Sequence, residues 1–282
     1  MSVGGLPVPV HMSVSIRHNA ASMATANTLG RTQQHLARTL NRVSSGDRIA
    51  TAADDAAGSA VSTNLATRAT STQQAIRNAR DGQAIIHTVE ATVTEALGIA
   101  DRLRELSVQS ASEVLHADER SYVATEFSAL RDEFQRMAAS LEFNDITLGD
   151  GPTIDVQVGV DDSSTSRIEM QLSDLEGHHV GLVALNVGTA SGGQAAITRI
   201  DQLISRMNTD RARLGALHNR LDNAIGNAEA SHLSLNEAAS RIQDTDMAHE
   251  TAQMTALQIK QQAGVAAMGQ ANQLPSSIIN MI

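Results

Sequence analysis

Hydrophobic residues recur in alternating three- and four-residue steps over three long stretches of the chain. That period belongs to helices that bury one stripe. The first stretch holds Leu29, Leu36, Leu40 and Val43. The second holds Ile86, Val89, Val93, Ala96, Ala100 and Leu103. The third runs through Ile200, Leu203, Met207, Leu214, Leu217, Leu221, Ala224 and Ala228. It continues in one register through Leu235, Ala238, Ile242, Ala252, Ala256, Ile259, Ala263 and Ala266. A heptad seam kept over so many turns predicts a coiled coil. The tetrapeptide SGGQ predicts its start, with Ser191 as N-cap and Gln194 closing a capping box. A shorter helix is predicted over residues 118–142, with Leu130, Phe134, Met137 and Leu141 on one side, after a break in SASEVLHADE.

The middle of the chain changes period. Ile154, Val156, Val158 and Val160 alternate, as do Ile168, Met170 and Leu172, with DDSSTS between them. Two alternating runs joined by a polar connection predict a β-hairpin over residues 153–172. The glycine-rich DLEGHHVGLVALNVGTASGG that follows reads as irregular. Residues 41–60, NRVSSGDRIATAADDAAGSA, interrupt the first helical pattern with serines, glycines and acids that favour caps and turns over helix interiors. The predicted fold is therefore mainly α: an elongated antiparallel coiled-coil or helical-bundle rod, its N- and C-terminal helices paired, with a small β-hairpin.

Composition sharpens this. Of 282 residues only three are Phe and one is Tyr, and none is Trp, so thin Ala/Leu/Ile/Val/Met seams must replace a thick aromatic core. The four prolines, Pro7, Pro9, Pro152 and Pro275, leave long stretches free for unbroken helices. A formal net charge of −10 argues against nucleic acid as a partner. No apolar run is long enough to predict a membrane span. Cysteine is absent, which excludes disulfides and thiolate chemistry. The opening MSVGGLPVPVHM lacks the pattern of a secretory signal, and residues 1–11 read as a tag or extension ahead of Met12.

Candidate chemistry is sparse. Two E-x-x-H units, Glu113/His116 and Glu229/His232, have the spacing of bundle metal sites, but the further ligands would have to be Asp81 and Asp201 rather than glutamates. Solvated helix faces and a polar turn are the preferred account of them. His178 and His179 read as a surface loop. Asp54 and Asp55 find no basic partner or aromatic wall in their own strip, and acids at the start of a helix explain them. No phosphate-binding loop, nucleophile elbow or dinucleotide fingerprint occurs. No catalytic residue, cofactor site or metal site is predicted.

Several strips, in order, resemble bacterial flagellins. They are SIRHNAASMATANTL, RVSSGDRIATAADDAAGSA, RNARDGQA, DRLRELSVQSAS and EFNDITLGDG in the first half, and LGALHNRLDNAI, SRIQDTDMAHET and QQAGVAAMGQANQLPSSIINMI at the end. The resemblance covers residues 12–282. Val43 stands where the family has leucine, Asp145 where it has glycine, and the IINMI ending differs from the usual leucine-rich one.

The resemblance implies a non-enzymatic structural subunit that polymerises with itself into the extracellular flagellar filament and is exported through the flagellar type III apparatus. It implies an inner domain from residues 12–54 and 244–282, and a rod from residues 55–243, with little or no variable outer domain. Self-assembly would rest on Leu29, Leu36, Leu40, Val43, Gly46, Leu257, Ile259, Ile278 and Ile279. Partners implied are the flagellar cap, the hook-associated junction proteins, an export chaperone and an animal innate immune receptor. The receptor would read Arg102, Leu106 and Glu126. A hook–filament junction protein and a helical-bundle metalloprotein are the competing readings. For the strip 41–60, bulky substitutions at Gly46 or Ala57 are expected to damage polymerisation more than folding.

Overall fold

The computed structural model describes residues 18–279, with side chains through residue 273. The extension assigned to residues 1–11, and the side chains of Ile278 and Ile279, lie outside the described residues. Six α-helices are present among them: α1 Ala20–Ser45, α2 Ala56–Ala111, α3 Ala117–Ala139, α4 Leu175–Val183, α5 Ala190–Gln243 and α6 Met247–Ile279. Two strand pairs accompany them: β1 Glu142–Phe143 with β2 Ile146–Thr147, and β3 Thr153–Gln157 with β4 Arg167–Gln171. The chain forms two compact units, one from both ends of the chain (to Leu65 and from Glu237), the other Ala66–Asn236.

In the second unit α2 and α5 run antiparallel. Arg80 meets Glu229 and Arg104 meets Asp201 along the pairing, at 2.7 and 2.6 Å. Between them lie Ile86, Val89, Val93, Leu103, Ile200, Met207, Leu214 and Leu221, all fully buried. This is the predicted heptad seam, and α3 adds Phe127 and Phe134 to the same core. At the head of α5, Gly193 lets two helices touch: a Cβ there would stand 2.7 Å from the Ala111 nitrogen and 2.9 Å from the Ser107 carbonyl oxygen. The turn between α2 and α3 is held by Arg120, whose buried guanidinium donates to the carbonyls of Ser110, Ser112 and Leu115.

The predicted hairpin is present, with Val156 opposite Ile168 and Ile154 opposite Met170. Its alternation puts Val156, Ile168 and Met170 into the core. A second, unpredicted ribbon precedes it. Asn144 and Asp145 carry φ of 50° and 62°, the paired left-handed geometry of a two-residue hairpin turn. Asp145 thus occupies a position that glycine would hold without strain.

Three expectations are corrected. The region after the hairpin contains α4: the Asp174 carboxylate accepts from the Gly177 N–H at 2.7 Å, and Leu175, His179 and Leu182 form its buried stripe. His179 is therefore a core residue and His178 a partner of a buried carboxylate. The long C-terminal helix breaks at Asp244–Asp246, where the Asp246 carboxylate caps a new helix by accepting from Ala248 and His249 at 2.9 and 3.1 Å. The start of α5 is capped by Thr189 rather than Ser191, its hydroxyl accepting from the Gly192 N–H at 3.0 Å.

Candidate self-assembly interface

The unit built from the chain ends consists of α1 packed antiparallel on α6. The Asn19 amide donates to the Ala271 carbonyl at 2.8 Å, and Ser22 bonds Asn272 at 2.7 Å. At the other end Arg42 stands 3.8 Å from the buried Glu250 carboxylate. The inward positions of α1 are Ser22, Thr25, Leu29, Thr32, Leu36, Thr39 and Val43. Those of α6 are Glu250, Met254, Leu257, Gln261, Gly264, Met268 and Ala271. Both sets step by alternating threes and fours, so the pairing is a heptad seam. It is thin and half polar. At Gly264 a Cβ would already lie 3.3 Å from Leu29.

This splits the predicted assembly residues. Leu29, Leu36, Val43 and Leu257 are half-buried in the seam between α1 and α6. Leu40 and Ile259 point away from it, 46% and 61% exposed. The predicted register through Ala252, Ala256, Ile259, Ala263 and Ala266 is not the one that meets α1: all five are exposed. The physical reason is the break at Asp244–Asp246. Restarting the helix shifts its phase, so α6 carries one stripe toward α1 and a second apolar stripe facing outward.

The strip 41–60 joins this unit's elements. Gly46 ends α1 in the left-handed conformation, φ 80°, its N–H bonded to the Arg42 carbonyl at 2.9 Å. Its own carbonyl accepts from the Thr245 N–H at 2.9 Å, and the Arg48 N–H donates to the Gln243 carbonyl at 2.6 Å. Asp47 forms a bridge with Asp244. The Arg48 guanidinium adds bonds to the carbonyls of Arg241 and Ile242. The polar strip and the break before α6 therefore satisfy each other's backbone groups. Asp54 and Asp55 have local roles. Asp55 accepts from the Gly58 N–H at 2.9 Å at the head of α2. Asp54 accepts from the Thr51 hydroxyl and N–H at 3.0 and 3.1 Å, which, with the more distant Arg42, hold its carboxyl below the usual range. Gly46 and Gly58 differ in kind. Around Gly46 a Cβ would meet nothing within 4 Å, so only its dihedral demands glycine, whereas at Gly58 a Cβ would stand 2.4 Å from the Asp55 carboxylate. Ala57 is exposed.

On the second unit Arg102 pairs with Glu126 at 2.7 Å and with Glu105 at 2.7 Å, on an exposed face. Both bonds, Glu105's foremost, hold the Arg102 guanidinium above its ordinary value. Leu106 is not beside them on the surface: it is 1% exposed and packed in the core. The E-x-x-H residues do not converge. Glu229 is bonded to Arg80, His232 Nδ1 lies 3.0 Å from the Ala69 carbonyl, Asp201 is bonded to Arg104, and Glu113 and His116 lie in or beside the α2–α3 turn.

In the sequence Asp210 is only a polar position in the seam; the structure makes it a buried polar centre. Asp210, which interrupts the α5 seam, receives the Ser173 hydroxyl at 2.7 Å, His178 Nε2 at 3.0 Å and the Arg213 guanidinium at 2.6 Å. It fastens the end of β4 and the start of α4 to α5. An acid at a heptad core position was the available signal.

Comparison with known proteins agrees with these elements. The family model of the bacterial flagellin N-terminal helical region matches residues 16–152, and that of the bacterial flagellin C-terminal helical region matches residues 197–282. A flagellin of Halalkalibacterium halodurans is 33% identical over 95% of this chain and 99% of its own. Flagellin FlaB2 of Treponema pallidum is 32% identical, and the flagellar filament 33 kDa core protein of Treponema phagedenis 31%, with the same coverage. Among solved structures, a putative flagellar hook-associated protein from Vibrio parahaemolyticus shares the fold with a TM-score of 0.54 over 68% of this chain and all of that one, at 14% identity. Two family models spanning both helical ends, together with relatives matched along nearly their whole length, establish that the chain belongs to the bacterial flagellin family.

Proposed function

We propose that the protein is a short flagellin whose terminal helices build the inner part of a self-polymerised extracellular filament, and that it works as a structural subunit rather than an enzyme. The observation that carries this is the outward stripe of α6. Ala252, Ala256, Ile259, Ala263 and Ala266 form a smooth apolar face, exposed among the described residues. Contiguous apolar surface of this kind marks an interaction site, and its small side chains suit close helix packing. Leu40 adds an exposed contact on α1. Leu29, Leu36, Val43 and Leu257 then act indirectly, by holding α1 and α6 together so that the outer stripe is presented. Gly46 sets the course of the chain beside them. The residues 12–54 and 244–282 form the inner domain in this reading, and 55–243 the rod. In this reading the chain passes through the flagellar export apparatus, with an export chaperone, the cap and the hook-associated junction proteins as successive partners; membership of the family supports it. For an innate immune receptor, the Arg102–Glu126 pair is the accessible part of the implied surface.

Ile259→Glu with Ala263→Glu tests the reading. Both positions are exposed, so circular dichroism and melting of the monomer should match the parent, while negative-stain microscopy under polymerising conditions should show filaments for the parent and none for the variant. Normal filaments from the variant would remove the outer stripe from the interface.

A further inference from the structure

The second unit carries two charged surfaces with no partner among the described residues. On α5, arginines recur every seven residues at Arg199, Arg206, Arg213 and Arg220, which aligns them on one face. Arg213 is engaged with Asp210 and with Gln171, at 2.6 and 3.1 Å. Arg199 and Arg206 are not engaged: both are exposed, both line a cleft between α4 and α5, and neither makes a hydrogen bond or ion pair among the described residues. They lie two turns apart, roughly 10 Å along the axis. On the α4 side the cleft is lined by Gly181, where a Cβ would meet nothing within 4 Å.

The other surface is the outward face of the β3–β4 ribbon. Asp155 and Glu169 are direct cross-strand partners, both exposed and both without a hydrogen bond or ion pair among the described residues. Like charges placed directly opposite each other weaken a ribbon. Neither nearby cation is bonded to them: the Arg167 guanidinium is taken by Gln157 and Asp162, and Arg213, which reaches Gln171 on the same face, is held by Asp210. A ribbon that holds two facing carboxylates without compensation is built to meet positive charge from outside the chain.

We infer that the Asp155–Glu169 face of one chain docks on the Arg199–Arg206 cleft of a second copy. The inference rests on the reading of the protein as a self-polymerising subunit and names a charged contact between neighbouring copies. Two guanidiniums face two carboxylates, and each charge is unsatisfied without the other. At a net charge of −10, copies of the chain repel one another at long range, so an oriented pair of opposite charges selects the register in which they can approach. Because donor and acceptor surfaces differ, the contact is heterologous and propagates rather than closing a dimer.

Reciprocal charge reversal tests this. One variant carries Arg199→Glu and Arg206→Glu, the other Asp155→Arg and Glu169→Arg. All four side chains are exposed and unpaired, so both monomers should fold as the parent does, checked by circular dichroism. Each variant alone should raise the critical concentration for polymerisation by about tenfold or more. An equimolar mixture, or one chain carrying all four changes, should restore it. Polymerisation of either variant at the parental concentration, or failure of both the mixture and the fourfold variant to recover, overturns the inference. So does a pattern in which only the acidic positions matter and magnesium governs the parent, which would assign the carboxylates to a cation. A parent that forms no polymer under any condition fails the underlying functional reading instead, so the two failures are distinguishable.

Discussion

Gly46 offers the sharpest test of how the strip between α1 and α2 works. Its φ of 80° lies in the left-handed region, yet a Cβ there would have nothing within 4 Å. Conformation and bulk therefore make different predictions. Forcing alanine into this region costs about 1–2 kcal/mol. Reduced freedom of the unfolded chain returns about 0.4–1 kcal/mol. The net loss for Gly46→Ala is about 1 kcal/mol, whereas asparagine tolerates the region and loses about half as much. The loss should appear locally, at the two amides that the turn positions: Thr245 N–H on the Gly46 carbonyl at 2.9 Å and Arg48 N–H on the Gln243 carbonyl at 2.6 Å. A change of about 1 kcal/mol is about a fivefold shift in a local opening equilibrium. Native-state hydrogen exchange should accordingly show both amides about fivefold faster in Gly46→Ala and about twofold faster in Gly46→Asn. If asparagine, the larger residue, disturbed these amides more than alanine, side-chain volume would be the controlling quantity and the dihedral argument would fail. The earlier expectation that bulk at Gly46 is the problem becomes, on this structure, an expectation about backbone conformation. Bulk remains the relevant variable at the exposed Ala57, where Ala57→Leu should leave both amides unchanged and lower polymer formation.

Three further outcomes follow from the second unit. Arg120→Met keeps the aliphatic stem but leaves three carbonyls without their donor, and should cost about 2–4 kcal/mol in urea unfolding, with faster exchange confined at first to residues 112–116. Gly193→Ala drives a methyl into the backbone of α2 at Ser107 and Ala111 and should cost about 1–3 kcal/mol, although alanine is the better helix former. His179 is buried with its Nε2 unpartnered, and desolvation, then Arg131, holds its pKa below the usual 6.5. The neutral ring is the form that folds, so its contribution is complete above that value and is lost as pH falls from there toward the lowered pKa. Unfolding free energy of the parent should therefore fall more steeply than that of His179→Leu on acidification through this window, and equal slopes would refute the assignment.

How much of this was legible in the sequence varied with the kind of force that set each feature. The seam of α2 and α5 was readable because burial alone decides it: Val89, Val93, Ile200 and Leu214 repeat at helical spacing, and every one is fully buried. The β3–β4 ribbon was readable for the same reason at period two. Features set by a single polar group were not. α4 rests on the Asp174 cap and a buried histidine that looked like loop chemistry between glycines. The break before α6 rests on Asp246 accepting two N–H groups, which in a hydrophobic tally registers only as a polar position in a continuing seam. Leu106 is the opposite case: motif matching placed it with Arg102 and Glu126, and it is 1% exposed in the core. The missed break has the largest consequence. Without it, Ala252, Ala256, Ile259, Ala263 and Ala266 continue the seam of α5 and are consumed inside the chain. With it, the helix restarts in another phase, α1 is met by Met254, Leu257 and Met268, and the alanine-rich stripe is left over. A subunit that polymerises needs such a surplus, because a stripe buried in its own chain cannot also bind a neighbour. Three polar residues, Asp244, Thr245 and Asp246, divide the two uses; of these, Thr245 donates its N–H to the Gly46 carbonyl and Asp244 pairs with the backbone of Asp47 at the turn that ends α1. Replacing Asp246 by alanine removes the cap and favours a continuous helix from α5 into α6, so the outward stripe should lose its phase. Polymerisation should then fall even though no residue of the stripe was touched. Filaments of normal yield and form from Asp246→Ala would show that the phase of α6 is held by its packing on α1 and not by the cap.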